Sequence, residues 1–174
     1  ATAGCPVGVD DRMPTIGRKF LMAGRGGLNL TPSEPFDAFV SRYGAAAPRL
    51  RPILEAFPPA AGIAWAESLG QPVFTGSSGR VFPKSMKASP VLRSQLARLA
   101  AHNVQFHTRP EWLGWDETGA LLFHADGKTG CVRADATILA LGGASWPRLG
   151  SAVGWVEVRN RTPFAGRTPR PSTW

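Results

Sequence analysis

The spacing of apolar side chains changes several times along the chain, and each change predicts a different kind of element. Val7-Gly8-Val9 is a short apolar run ending in Asp10-Asp11, the pattern of a brief strand. Between Pro14 and Pro35 glycine and proline interrupt every period, which predicts a long, shaped loop; loops of that length in compact domains are usually functional or disordered. Helical spacing follows. Phe36, Phe39, Val40 and Tyr43 share one face, with Ser33 as a candidate N-cap before Glu34 and Pro35. A second helix is expected near Leu50 to Phe57, and a third carries Ile63, Trp65, Ala66 and Leu69 and stops at Gly70. Val73-Phe74-Thr75 and Arg80-Val81-Phe82 flank Gly76-Ser77-Ser78-Gly79, which predicts two short strands around a glycine turn. The clearest helix runs from Pro90 to His102, with Ser89 as cap, Pro90 in the first position and Leu92, Leu96 and Leu99 on one face.

From Val104 the period becomes alternating. Val104 to His107, Trp112 to Trp115 and Ala120 to Phe123, with Asp116-Glu117-Thr118-Gly119 as a turn, predict an antiparallel meander. Cys131-Val132-Arg133-Ala134 then leads into the continuous apolar run Ala136 to Leu141, closed by Gly142-Gly143. A run of that kind suits a strand covered on both faces in a parallel α/β sheet. Residues Arg159 to Trp174 are rich in Arg, Pro and Thr without any period, and are expected to be disordered or poorly packed.

Composition narrows the class. With 43% hydrophobic and 18% charged residues over 174 positions, the chain has the balance of a globular protein with a sizeable core, one domain or one and a fraction. No window approaches the roughly 18 uninterrupted apolar residues of a membrane span, and the first residues lack the order of a signal peptide, so a cytoplasmic protein is expected. Cys5 and Cys131 are too few and too far apart for a disulfide framework or a zinc site, and read as buried small hydrophobes. His102, His107 and His124 have no partners at metal spacing and read as structural; no metal site is expected. Trp65, Trp112 and Trp115 fall in regular elements where packing explains them, which leaves Trp146, after the glycine pair, as a candidate for touching a cofactor. No Gly-x-Ser-x-Gly elbow with later Asp and His is present, which argues against a serine hydrolase.

The formal charge of +8 raises the question of nucleic acid. Four basic residues and no acid lie between Arg12 and Arg25, interleaved with glycine, a pattern that fits an anionic cofactor phosphate as well as a polynucleotide. No RNA-recognition signature, zinc finger or basic zipper accompanies it, so nucleic acid is not the expected partner. Asp10-Asp11 at the end of a strand is where a dinucleotide fold places its ribose-binding acid, although strand-end aspartates also cap turns. Gly17-Arg18-Lys19 and Gly24-Arg25-Gly26-Gly27-Leu28-Asn29 let backbone N–H groups approach an anion. The second run is not a Walker loop, having no Gly-Lys-Ser/Thr, and Asn29 stands where a Rossmann fingerprint has its third glycine.

Three runs together carry a resemblance: Gly17 to Thr31; Gly76 to Pro83 with Met86-Lys87-Ala88; and Ala136 to Gly143 followed by Ser145-Trp146 and Leu149-Gly150-Ser151. In that order and spacing, over about residues 7 to 151, they resemble bacterial NAD(P)/FAD-dependent oxidoreductases of the aminoacetone-oxidase-like type. The resemblance implies an α/β fold: a partial FAD/NAD(P)-binding Rossmann-like domain with an inserted α+β segment. It implies FAD-binding parts at residues 1–33 and 131–158 and an insertion at 34–130, outside which the tail at 159–174 stands apart. It also implies FAD as cofactor, with NAD(P)H as a possible co-substrate, and a small-molecule substrate. On this reading Asp11 holds the ribose. Gly17, Arg18, Lys19, Gly24, Gly26, Gly27, Asn29 and Thr31 lie along the flavin and its pyrophosphate, and Gly142, Gly143 and Trp146 lie beside the cofactor. No catalytic acid or base is demanded, because a flavin supplies the redox chemistry. The family's first strand and Gly-x-Gly-x-x-Gly turn are absent from these 174 residues, as is its continuation after Gly154, so a chain incomplete at both ends is expected. The alternative is an inactive truncated chain, or a basic module that binds nucleic acid or protein without redox activity.

Overall fold

The computed structural model describes residues 5–142. In chain order its elements are β1 (Val7–Asp11), α1 (Arg18–Ala23), β2 (Thr31–Pro32), α2 (Phe36–Ser41), α3 (Ala47–Ala56), α4 (Pro59–Ser68), β3 (Val73–Thr75) and β4 (Arg80–Pro83). They continue with α5 (Ala88–Ala101), β5 (Val104–Thr108), β6 (Glu111–Trp115), β7 (Leu121–Ala125) and β8 (Lys128–Val132). These residues form two compact units, one of residues 5–19 with 103–142 and the other of Phe20–His102. No helix among the described residues is long and apolar enough to cross a membrane.

In the first unit β1 and β5 pair in parallel, from Val7 opposite Val104 to Asp11 opposite Thr108. Parallel neighbours need a long crossover, and here the whole second unit lies between them in sequence. Alternation along β1 puts Val7, Val9 and Asp11 on the more sheltered face and Gly8 and Asp10 on the exposed one. Strands β6, β7 and β8 form a separate antiparallel sheet, with a register shift between Trp112 and Gly114 and the Trp112 and Trp115 rings edge to face at 4.8 Å. Asp126 and Gly127, both at positive φ, close the β7–β8 hairpin, the backbone that an Asp-Gly pair adopts readily in a two-residue turn.

In the second unit β4 is the centre of a three-stranded antiparallel sheet, between β2 and β3. Its Val81 is almost fully buried. Leu28, Leu69, Ala88 and Val91 form the core cluster, with Phe20, Leu30 and Trp65 packed against it. Pro59 opens α4, and Gly70, at φ +72, follows its C-cap Leu69, as the glycine stop signal predicts.

Several expectations need correction. β5 is not part of the meander: it pairs with β1, because alternation fixes which face a side chain takes but not which strand lies alongside. The stretch from Pro14 to Pro35 is not one loop, since it holds α1 and β2, and β2 exists only through its distant partner β4. Ser33 does not cap α2; Pro35 is the N-cap, and Ser33 Oγ donates to the Gly79 carbonyl at 3.0 Å instead. α5 starts at Ala88 after Lys87, two residues early, so Ser89 and Pro90 sit within its first turn, where Pro lacks no intrahelical donor. Both cysteines are exposed. The run Ala136 to Leu141 forms no strand and pairs with no described strand, and Ile138 is 91% exposed. The readings on Gly143, Trp146 and the 159–174 tail lie outside the described residues.

Candidate functional site

Asp10 and Asp11 leave β1 in opposite directions. Asp10 faces His107, its register partner on β5, with Oδ1 3.1 Å from Nδ1. Asp11 is half-buried, and its Oδ1 accepts the Met13 N–H at 2.9 Å, a local turn that bends the chain away from the strand end. The Asp11 carbonyl accepts the Arg109 N–H at 2.8 Å, so the carboxyl ends of the two strands are tied together beside the acid. A half-buried carboxylate at the carboxyl end of a parallel strand is the arrangement in which α/β sheets bind ligands.

Two further candidates meet in the same unit. Gly17, at φ 74, turns the chain into α1, whose first residues are Arg18 and Lys19, both half-buried. Gly142, at φ +70, lies against Lys19: a Cβ built on it would be 3.2 Å from the ammonium nitrogen. Any larger residue at 142 would be strained in backbone and would crowd that charge.

The second unit divides the remaining candidates by role. Gly24 is buried, and a Cβ there would lie 2.5 Å from the Ala88 Cβ, so this glycine exists to let the chain meet the start of α5. Gly27 has φ +117 and would bring a Cβ within 2.8 Å of Met86 Cε. The next residues are tied down by Leu28 N–H to Met86 O at 3.0 Å and Leu30 N–H to Val81 O at 2.9 Å. Thr31 is buried in β2 opposite Val81. Gly26 and Asn29 are exposed, and a Cβ on Gly26 would meet nothing within 4 Å. Of the five, then, only Gly26 and Asn29 offer open surface to a ligand.

Asn29 also lines an open cleft of about 400 Å³ with residues that the sequence did not mark as site residues, among them Glu34, Phe39, Arg42, Tyr43, Ser78 and Arg80. Glu34 binds Arg42 through two hydrogen bonds, 2.6 Å to Nε and 2.7 Å to the second nitrogen, which hold the guanidinium above its usual pKa by hydrogen bonding first and charge second. Phe39 and Tyr43 pack edge to face at 5.6 Å, one helical turn apart. That spacing, and the Gly76 to Pro83 run that holds Ser78 and Arg80, are sequence signals for parts of the cleft; the Glu34–Arg42 separation and the approach of β4 to β2 have none. Among the described residues no group of three or more His, Cys, Asp or Glu could hold a metal.

A parallel strand pair with an acid at its carboxyl end, joined to helices and antiparallel strands, defines a Rossmann-like domain of mixed α/β content, a partial version of that fold. The chain belongs to the HI0933-like protein Rossmann domain family, whose profile matches residues 1–164. That family is of an FAD-binding, oxidoreductase-like type. No curated protein matches the chain at a significant level.

Proposed function

We propose that the chain holds FAD and works in an oxidoreductase that moves electrons or hydride between FAD and a nicotinamide or other small-molecule substrate. The observation that carries the reading is Asp11: a half-buried carboxylate at the carboxyl end of parallel β1, beside a neighbour whose carboxylate is turned to His107. The donor set of the first unit fits the cofactor chemically. Asp11 accepts hydrogen bonds of the kind ribose hydroxyls donate, and Arg18 and Lys19 bring positive charge suited to a pyrophosphate. Gly17 and Gly142, both at positive φ, keep the backbone beside those cations clear of side chains. When bound, the flavin supplies the redox chemistry, and the protein's part is to bind and orient it.

The test is visible absorbance of the purified chain after addition of FAD and removal of free flavin. Retained colour near stoichiometry supports the reading. Asp11→Ala is then expected to weaken retention about tenfold or more, the worth of hydrogen bonds to a charged group, while Asp10→Ala changes it by less than about twofold. A colourless wild-type chain, or equal loss in the two variants, overturns it.

A further inference from the structure

The cleft on the second unit has its own chemistry. Three charged side chains line it, and two of them, Glu34 and Arg42, satisfy each other through the paired hydrogen bonds described above. The third, Arg80, is exposed on β4 and makes no ion pair with any described residue, so the cleft carries one uncompensated positive charge. The Asn29 amide and the Ser78 hydroxyl share the lining with it, and both groups are capable hydrogen-bond donors. On the α2 side the wall is aromatic: half-buried Phe39, with the Tyr43 ring set edge-on to it and 40% exposed. A guanidinium with amide and hydroxyl donors near a flat apolar wall recognises an anion on a planar body. The volume, about 400 Å³, lies within the range of small-molecule sites.

We propose that this cleft is a second binding site, distinct from the flavin site, that takes a small molecule made of a planar ring bearing a phosphate or carboxylate. The anion sits on Arg80, with Asn29 and Ser78 as supporting donors, and the ring lies along Phe39 and Tyr43. Glu34 holds the Arg42 guanidinium in place, so Arg42 serves as a positioned wall more than as a competing anion site. The proposal assigns Asn29, which the resemblance places along the flavin, to this cleft instead, and it does not depend on Asp11, which belongs to the first unit.

Tyr43 is the chain's only tyrosine, so fluorotyrosine incorporation places one ¹⁹F resonance in the cleft. The full chain, without FAD, is titrated separately with AMP, benzoate, adenosine and inorganic phosphate. The expected result is a saturable shift with AMP, with benzoate or with both, and binding of adenosine at least tenfold weaker than of AMP where AMP binds. Response to AMP alone identifies a phosphate ligand, and response to benzoate alone a carboxylate. Arg80→Ala is expected to weaken the shift about tenfold or more, with Arg80→Lys between, and unchanged circular dichroism excludes misfolding. No shift with either anion, adenosine binding as tightly as AMP, or an Arg80→Ala chain that binds like wild type overturns the proposal. So does a resonance that moves only when FAD is added, because the cleft would then be part of the flavin site. Flavin retention is read by colour in a separate experiment, so the two readings fail separately.

Discussion

Asp116 shows how far a single side chain can organise its surroundings. Its Oδ1 accepts the Thr118 hydroxyl at 2.7 Å, the Thr118 N–H at 2.8 Å and the Ala120 N–H at 2.9 Å, closing the turn between β6 and β7. Arg133 donates to the same Thr118 hydroxyl at 2.9 Å. The Thr118 hydrogen bond first, then the Ala120 N–H, with smaller help from the Thr118 N–H and the Arg133 charge, hold the carboxyl below its usual range. A depressed folded-state value means that the stabilisation is fully present above the ordinary carboxylate pKa and is lost as pH falls through the depressed one. Asp116→Asn should therefore lower stability at neutral pH and flatten the acid limb of the stability curve, read from urea midpoints across that range. An unchanged acid limb would mean that the turn is held by its backbone bonds alone. The Asp-Glu-Thr-Gly turn was legible in sequence because its chemistry is local. The separate fates of Asp10 and Asp11 were not, since they depend on which residue β5 brings opposite each.

At the scale of elements the close approach of Gly24 to Ala88 joins the glycine loop to the first residue of α5. A Cβ on Gly24 would also lie 3.2 Å from the Ala88 nitrogen and 3.3 Å from its Cα, so backbone as well as side chain would have to move. Gly24→Ala is expected to destabilise by about 1–3 kcal/mol, as overpacking does. Ala88→Gly in the same chain should recover only part of that loss, because the crowding against the residue 88 backbone remains; a denaturant double-mutant cycle measures both. Full recovery would place the whole clash in the Ala88 methyl. The same close approach accounts for what the sequence could not show about α5. Local signals put its start at Pro90, whereas packing of buried Ala88 draws the helix two residues earlier. Helices α3 and α4 and the β3–β4 hairpin were legible because their periods and stops are written within a few residues. β2 and the Ala136 to Leu141 run were not, for opposite reasons: one gains a distant partner that no local pattern announces, and the other finds no strand partner among the described residues.

At the scale of the whole molecule the described residues of the two units are buried unequally. In the second, Leu28, Val40, Ala66, Leu69, Val81, Ala88 and Val91 are all buried. In the first the buried apolar side chains are Val104, Ala120 and Leu121, together with Pro110, and all five residues of β8 are exposed. Two- and three-stranded sheets with little covering are only marginally stable by themselves. Native-state hydrogen exchange should accordingly find the slowest amides at Leu28 and Leu30, which donate to Met86 and Val81, and much faster exchange along β8. Ligand binding changes that order in a way that tests the functional reading. A cofactor that binds only the folded chain, present at about 100 times its dissociation constant, adds roughly 2.7 kcal/mol of protection to the amides whose opening would destroy its site. If FAD is held through Asp11, Lys19 and Gly142, the gain should appear in β1 and β5, the strands that fix Asp11, and should vanish in Asp11→Ala. Protection confined to Leu28 and Leu30 would instead place the flavin on the glycine-rich loop of the second unit and remove Asp11 from the site.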